Sequence, residues 1–155
     1  MKHIISKIAA LIMVLVFAMS LAACNGGSSN SSASNANASY ADGTYEGRSS
    51  DHEADEDGNG SGYGEVTIEI KDNKVTSCTF ALYELDGKVK DETYGADLSK
   101  ENRLKAQKAV QAAEKYASML VEGGSLDSVD TISGATISYS EFIEAVNDAL
   151  SKAVE

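Results

Sequence analysis

The spacing of hydrophobic residues changes along the chain after residue 64. It first has the two-residue period of strands and then the period of helices, about 3.6 residues. Apolar and polar residues alternate from 65 to 71, which predicts a strand whose buried face carries Val66, Ile68 and Ile70. The next strand, which ends near Leu85, changes the parity of its apolar positions between Val75 and Cys78. A β-bulge near residues 76–77 would return both halves to one face, with Cys78 in the core.

Two later segments have the period of amphipathic helices. The first runs from Ser99 to Val121 and is stopped by Gly123-Gly124; its buried stripe consists of Ala106, Val110, Ala113, Ala117 and Leu120. The second runs from about Tyr139 to Ala153. Its N-cap is predicted at Ser138, because Ser138 and Glu141 have the spacing of a capping box.

A short extended piece at residues 42–47 precedes these elements, so the order is strand, hairpin, long helix, connector and final helix. Strands followed by helices in this way are typical of α+β folds. We therefore predict one domain from 40 to 155, in which a small antiparallel sheet packs against the long helix and the C-terminal amphipathic helix.

The chain begins with a segment, residues 1–23, that has the composition of an export signal. Lys2 and Lys7 precede an apolar run that ends in small residues. The run is shorter than the roughly 20 residues that a membrane span needs. Its ending, Leu21-Ala22-Ala23-Cys24, resembles the bacterial lipobox, in which the cysteine is acylated and the signal is removed in front of it. The resemblance implies that Cys24 anchors the protein in the lipid bilayer of the cell membrane, on its extracytoplasmic side.

Residues 24–39 connect this anchor to the predicted domain. After Cys24 they are almost entirely Asn, Ser, Gly and Ala, which cannot bury enough apolar surface to offset the entropy of ordering. We predict a flexible tether with a mean reach of roughly 20 to 25 Å.

The net charge argues against one class of partner, and the cysteine count argues against a disulfide. The net charge of the full chain is −11, and loss of the two signal lysines makes it −13. This acidity argues against nucleic acid as a partner, because the phosphate backbone repels it. With Cys24 acylated, Cys78 has no second cysteine to pair with, so we expect no disulfide.

The segment Asp130-Thr131-Ile132-Ser133-Gly134-Ala135-Thr136 leads directly to the predicted start of the last helix. Free N–H groups and the positive end of the helix dipole at such a position favour an anion such as phosphate. Gly134 and Ala135 are small enough for a ligand or a modifying enzyme to approach the backbone closely. Thr136 therefore presents a hydroxyl at a position suited to a phosphate group.

This segment, D-x-x-S-G-A-T, is similar to the acceptor motif of the FMN-binding domain family, in which a flavin transferase joins FMN through its phosphate to the last threonine. The resemblance extends to D-G-T-Y-x-G near residue 42, to the hairpin V-T-I-E-I-K-D-N-K-V-T and to the final helix. It implies that Thr136 carries covalent FMN and that the transferase recognises Asp130, Ser133, Gly134 and Ala135. The alternative is an ordinary turn before a helix.

Lipobox and flavin motif together imply an electron carrier that takes electrons from a membrane redox donor, with a quinol-linked one as a candidate, and passes them to external acceptors. Two alternatives stay open: a flavin-dependent reductase with its own substrate, and a non-redox surface lipoprotein that serves in binding or as a pheromone precursor. The sequence offers no nucleophile–base pair, so we name no catalytic residue. Tyr63, Tyr94 and Tyr139 are candidates to stack on a flavin ring.

An acidic stretch from Asp51 to Asp57 departs from the family pattern and leaves the role of its loop open. Asp55, Asp57, Asn59 and Gly60 match the first half of a calcium-binding loop. The twelfth position, where a bidentate glutamate belongs, is Val66. An exposed acidic loop is therefore the favoured interpretation, and no metal site is predicted.

Overall fold

The computed structural model describes residues 38–155. The predicted signal segment, the lipidation site Cys24 and nearly all of the tether lie outside the described residues. Within 38–155, no helix combines the length and the apolar character needed to cross a membrane.

The sheet is antiparallel and has three strands in sequential order: β1 (Gly43–Arg48), β2 (Tyr63–Lys71) and β3 (Lys74–Tyr83). In the hairpin, Ile70 lies opposite Val75 and Glu69 lies opposite Ser77, so Thr76 is the extra residue of a bulge. The predicted bulge is thus confirmed. It restores the parity of β3, so that the apolar positions of both strands point to one face.

Two helices cover that face. Helix α1 (Lys100–Gly123) packs on β3, and α2 (Thr136–Ala153) packs on β1 and β2; a single 3₁₀ turn at Leu126–Ser128 lies between them. The largest fully buried side chains come from all layers and are Tyr116, Phe142, Ile68, Leu120 and Val146. This arrangement confirms the predicted α+β fold with a small antiparallel sheet against two helices.

Helix α1 begins and ends as its sequence predicts. The Ser99 hydroxyl accepts a hydrogen bond from the Asn102 N–H at 3.3 Å, and Gly124 closes the last turn with a φ of 74°. Its buried face is rotated slightly from the predicted stripe. Ala112 and Tyr116 are buried, whereas Ala106 and Val110 are only half-buried.

Helix α2 lies unusually close to the sheet because both surfaces carry small residues where they meet. A Cβ atom on Gly47 of β1 would stand 1.9 Å from the carbonyl oxygen of Ala145. A Cβ on Gly64 of β2 would stand 3.2 Å from the Cβ of Glu141. This close contact fixes the position of α2, and with it the turn that precedes the helix.

Candidate functional site

One buried tyrosine of α1 holds the turn between the 3₁₀ segment and α2 through hydrogen bonds. The hydroxyl of Tyr116, whose side chain is 0% exposed, accepts a hydrogen bond from the Ile132 N–H and donates one to the Ala135 carbonyl, both at 3.1 Å. The turn closes on itself through the Ala135 N–H and the Ile132 carbonyl at 2.9 Å, and Gly134 has a φ of 79°. Glycine suits this left-handed conformation because it lacks a Cβ.

Thr136 is the first residue of α2, and its side chain is exposed. The N-cap is Ala135, no side chain caps this terminus, and Ser138 and Glu141 are buried inside the helix. The predicted capping box was therefore wrong. Both residues are buried, and the turn ending in Gly134 and Ala135 starts the helix earlier than the S-x-x-E spacing indicates. The N–H groups of the first turn are left for an outside acceptor.

The other residues of the motif divide into an exposed outer set and a buried inner one. Asp130, Ser133 and Gly134 are exposed, and Ala135 is buried beneath them. The side chain of Lys108 crosses from α1 to the turn, since a Cβ on Gly134 would lie 3.0 Å from its Nζ atom. The ammonium group of Lys108 thus lies beside the turn that carries the exposed Thr136.

A narrow cavity that contains two charged side chains, here called the Lys90–Glu141 cavity, lies beside the first turns of α2. Its volume is about 60 Å³, and its lining includes the loop at 58–60, Lys90, Tyr94, Ser138 and Glu141. Glu141 is 5% exposed and Lys90 is 8% exposed. Burial raises the pKa of the Glu141 carboxyl to about 7, and burial also lowers the pKa of the Lys90 ammonium.

The tyrosines proposed to stack on a flavin lie in three different places. Tyr63 belongs to the sheet face away from the helices, where Tyr83 stacks on its ring at 5.2 Å and the Arg48 guanidinium lies 3.7 Å from its centroid. Tyr94 lines the Lys90–Glu141 cavity. Tyr139 packs edge-on against Tyr116 beneath the turn.

The acidic loop is organised by its own hydrogen bonds. The Asp55 carboxylate accepts from the Asn59 backbone N–H at 3.0 Å and from its side-chain amide at 2.7 Å, and these bonds lower the pKa of Asp55. Lys105 of α1 donates to the Asp57 carbonyl at 3.1 Å. In the part of the chain that the structure describes, no group of three His, Cys, Asp or Glu side chains is arranged to hold a metal ion.

Tyr116, Lys108 and Lys90 were not identified from the sequence as parts of this region. Each contacts it from a segment distant along the chain, and a tyrosine or lysine on an amphipathic helix carries no signal of such a role. The one available signal was the position of Glu141 on the apolar face of α2, next to Phe142. The S-x-x-E spacing instead predicts a cap for that glutamate, and the structure contains none.

Two comparisons with known proteins found matches. The model of a family described as the FMN-binding domain matches residues 59–151. A crystal structure of a protein from Clostridium perfringens shares the fold, with a TM-score of 0.54 and 22% sequence identity over 74% of this chain and 88% of that chain. No curated protein matches the chain.

Proposed function

Because the chain belongs to the FMN-binding domain family, we propose that it is an electron carrier with FMN joined through its phosphate to the hydroxyl of Thr136. In this proposal, acylated Cys24 holds the protein to the cell membrane on the extracytoplasmic side. It relays electrons from a membrane donor, with a quinol-linked one as the candidate, to external acceptors.

The observation that carries the proposal is the exposure of Thr136 on a rigid turn. The clamp formed by Tyr116 holds the backbone on both sides of Gly134, so the backbone that carries the Thr136 hydroxyl is held in place. The side chains of Asp130 and Ser133 are exposed too, which makes them readable by a modifying enzyme. Ser138, in contrast, is only 3% exposed, so its hydroxyl is a poor acceptor.

The surroundings of Thr136 fit a phosphodiester. The uncapped N-terminus of α2 offers backbone N–H groups and the positive end of the helix dipole. Lys108 supplies a positive charge beside Gly134. FMN, when attached, supplies the redox chemistry, and the protein supplies the attachment, the charge compensation and the orientation.

The described domain starts far from Thr136. Just before β1, the Ala41 N–H donates to the carbonyl of Ala153, the last residue of α2, at 2.8 Å. Helix α2 has 18 residues, which corresponds to a length of about 27 Å. Thr136 and the start of the described domain near Ala41 therefore lie at opposite ends of α2, an arrangement that suits a carrier whose flavin reaches partners away from its own anchor.

Mass spectrometry of the mature protein tests the attachment. The full chain is produced and exported together with a flavin transferase, and we expect an added mass equal to FMN minus water. Thr136→Val should fold normally and lack this mass. Thr131→Val is the matched control, since Thr131 is an exposed threonine of the same motif, and it should keep the flavin. Flavin retained on Thr136→Val, or absent from the unaltered protein, would refute the proposal.

The anchor is tested separately by Cys24→Ser. This variant should lose the acyl mass and leave the membrane fraction, while the domain still receives flavin. A Cys24→Ser protein that stays in the membrane fraction would refute the lipid anchor and leave the flavin assignment intact.

A further inference from the structure

The Lys90–Glu141 cavity contains a buried carboxyl group that the fold alone does not explain. The Oε1 atom of Glu141 is buried and has no hydrogen-bond partner within residues 38–155. Removing a carboxylate from water without a partner is costly, and a buried pair of opposite charge is often less stable than an apolar replacement. A glutamate in this position therefore points to a role other than stability.

The positive charge of Lys90 acts on Glu141 in this cavity, but the two form no ion pair in the described residues. The Lys90 ammonium lies 5.0 Å from the centroid of the Tyr94 ring and packs against Gly62, where a Cβ would come within 2.4 Å of Nζ. Lysine and glutamate are thus held apart in one cavity. Its volume of about 60 Å³ leaves room for on the order of two to four waters.

The charged and titratable groups around Glu141 come from several elements. Lys90 and Tyr94 face it from the segment after β3, Lys105 lines the same cavity from α1, and Glu144 lies one turn further along α2. Glu84 acts on Lys90. The strand residues that the structure describes next to this cavity, Gly64, Phe80 and Leu82, are uncharged.

The cavity lies close to the proposed flavin site. Ile137 and Ser138, which directly follow Thr136, form part of its wall. Glu141 is five positions along α2 from Thr136, an axial distance of about 7.5 Å. A negative charge added to a group on Thr136 would therefore act on Glu141 through low-dielectric protein as well as through water.

We propose that Glu141, held beside Lys90, is a proton-binding residue that compensates charge when the flavin on Thr136 is reduced. The inference rests on the proposed function. A quinol donor that is oxidised to the quinone releases two electrons and two protons. The electrons reduce the flavin together with one proton, and Glu141 binds the second at its carboxylate, so charge is balanced. Reoxidation by an external acceptor returns both protons to solvent.

The direction of the effect follows from electrostatics. In the flavin-free protein, burial raises the pKa of the Glu141 carboxyl to about 7. An added negative charge nearby raises that pKa further, so Glu141 takes up its proton most completely just above pH 7. Glu141 is a charge-compensating residue in this scheme and does not itself transfer electrons.

The test measures the midpoint potential of the flavin-loaded protein against pH, with dithionite as reductant and mediator dyes. Between pH 7 and 8, two-electron reduction of the unaltered protein should take up as much as one proton more than two-electron reduction of Glu141→Gln. The midpoint potential of the unaltered protein should therefore depend more steeply on pH. The control Glu114→Gln removes an exposed carboxylate of α1 and should keep the slope of the unaltered protein. Lys90→Met removes the favourable positive charge and should move the proton-uptake window to higher pH.

A second readout does not depend on flavin. The infrared band of a protonated carboxyl group should titrate near pH 7 in the flavin-free Thr136→Val protein and vanish in Thr136→Val/Glu141→Gln. A flavin-loaded protein whose potential has the same pH slope with and without Glu141 overturns this inference alone. The inference is also overturned if no carboxyl titrates above pH 6. Absence of flavin from the unaltered protein would instead overturn the proposed function, and the role of Glu141 with it.

Discussion

Tyr116→Phe tests whether the buried hydroxyl holds the turn before Thr136. The substitution keeps the ring and its packing and removes one oxygen. The Ala135 carbonyl still accepts from the Tyr139 N–H at 3.0 Å, whereas the Ile132 N–H loses its only acceptor in the described residues. An unpaired, partly buried N–H costs about 1 to 3 kcal/mol, so the free energy of unfolding should fall by about 2 kcal/mol.

Urea unfolding followed by circular dichroism measures this loss. At a typical slope of about 2 kcal/mol per molar urea, the midpoint should fall by roughly 1 M. Tyr139→Phe is the matched control, because the Tyr139 hydroxyl makes no hydrogen bond within residues 38–155 although its ring packs against Tyr116. The control should stay within about 0.5 kcal/mol of the unaltered protein. Equal midpoints for the two variants would refute the clamp.

Tyr116→Phe should also slow flavin attachment to Thr136. In this variant the turn is no longer held in one conformation. Part of the free energy of binding between the transferase and the protein is then spent on ordering the turn. The initial rate of FMN incorporation, followed by mass spectrometry under native conditions, should fall for Tyr116→Phe and not for Tyr139→Phe. Equal rates would show that the enzyme does not depend on this clamp.

Three further predictions concern stability and reactivity. The raised pKa of Glu141 means that the folded state favours the protonated carboxyl, so the stability of the unaltered protein should fall as pH rises from about 4.5 to beyond 7. Urea titrations should show a loss of up to about 3 kcal/mol at pH 8. Glu141→Gln should not show this loss. An unaltered protein equally stable at pH 5 and pH 8 would contradict this. The thiol of Cys78, whose pKa burial raises to about 11, should react with iodoacetamide at pH 8 roughly two orders of magnitude more slowly than a cysteine peptide; a comparable rate would contradict the burial. Gly47→Ala should destabilise the domain by at least about 3 kcal/mol, because the new Cβ meets the backbone of Ala145, whereas Thr44→Ala on the exposed face of β1 should cost under about 1 kcal/mol in the same thermal scan.

The sequence by itself determined the elements whose signals are local. Alternation predicted β2 and β3, and the change of parity between Val75 and Cys78 predicted the bulge that the register contains. Ser99 and Gly124 marked the ends of α1, because caps depend on the dihedral angles and hydrogen bonds of a few neighbouring residues. The motif ending at Thr136 was likewise visible as a string of adjacent residues.

Only the tertiary structure decided what surrounds that motif. The S-x-x-E spacing favoured a cap at Ser138, but packing against Gly64 and Phe80 buried Glu141 and moved the helix start to Thr136. Burial of an apolar face outweighs a cap worth about 1 kcal/mol.

The clamp from Tyr116, the cation of Lys108 and the cavity shared by Lys90 and Glu141 each join residues that are far apart in the chain. Their partners are chosen by how α1, α2 and the sheet pack together. Local periodicity records which side of each element is buried, and it carries no information about which buried groups meet.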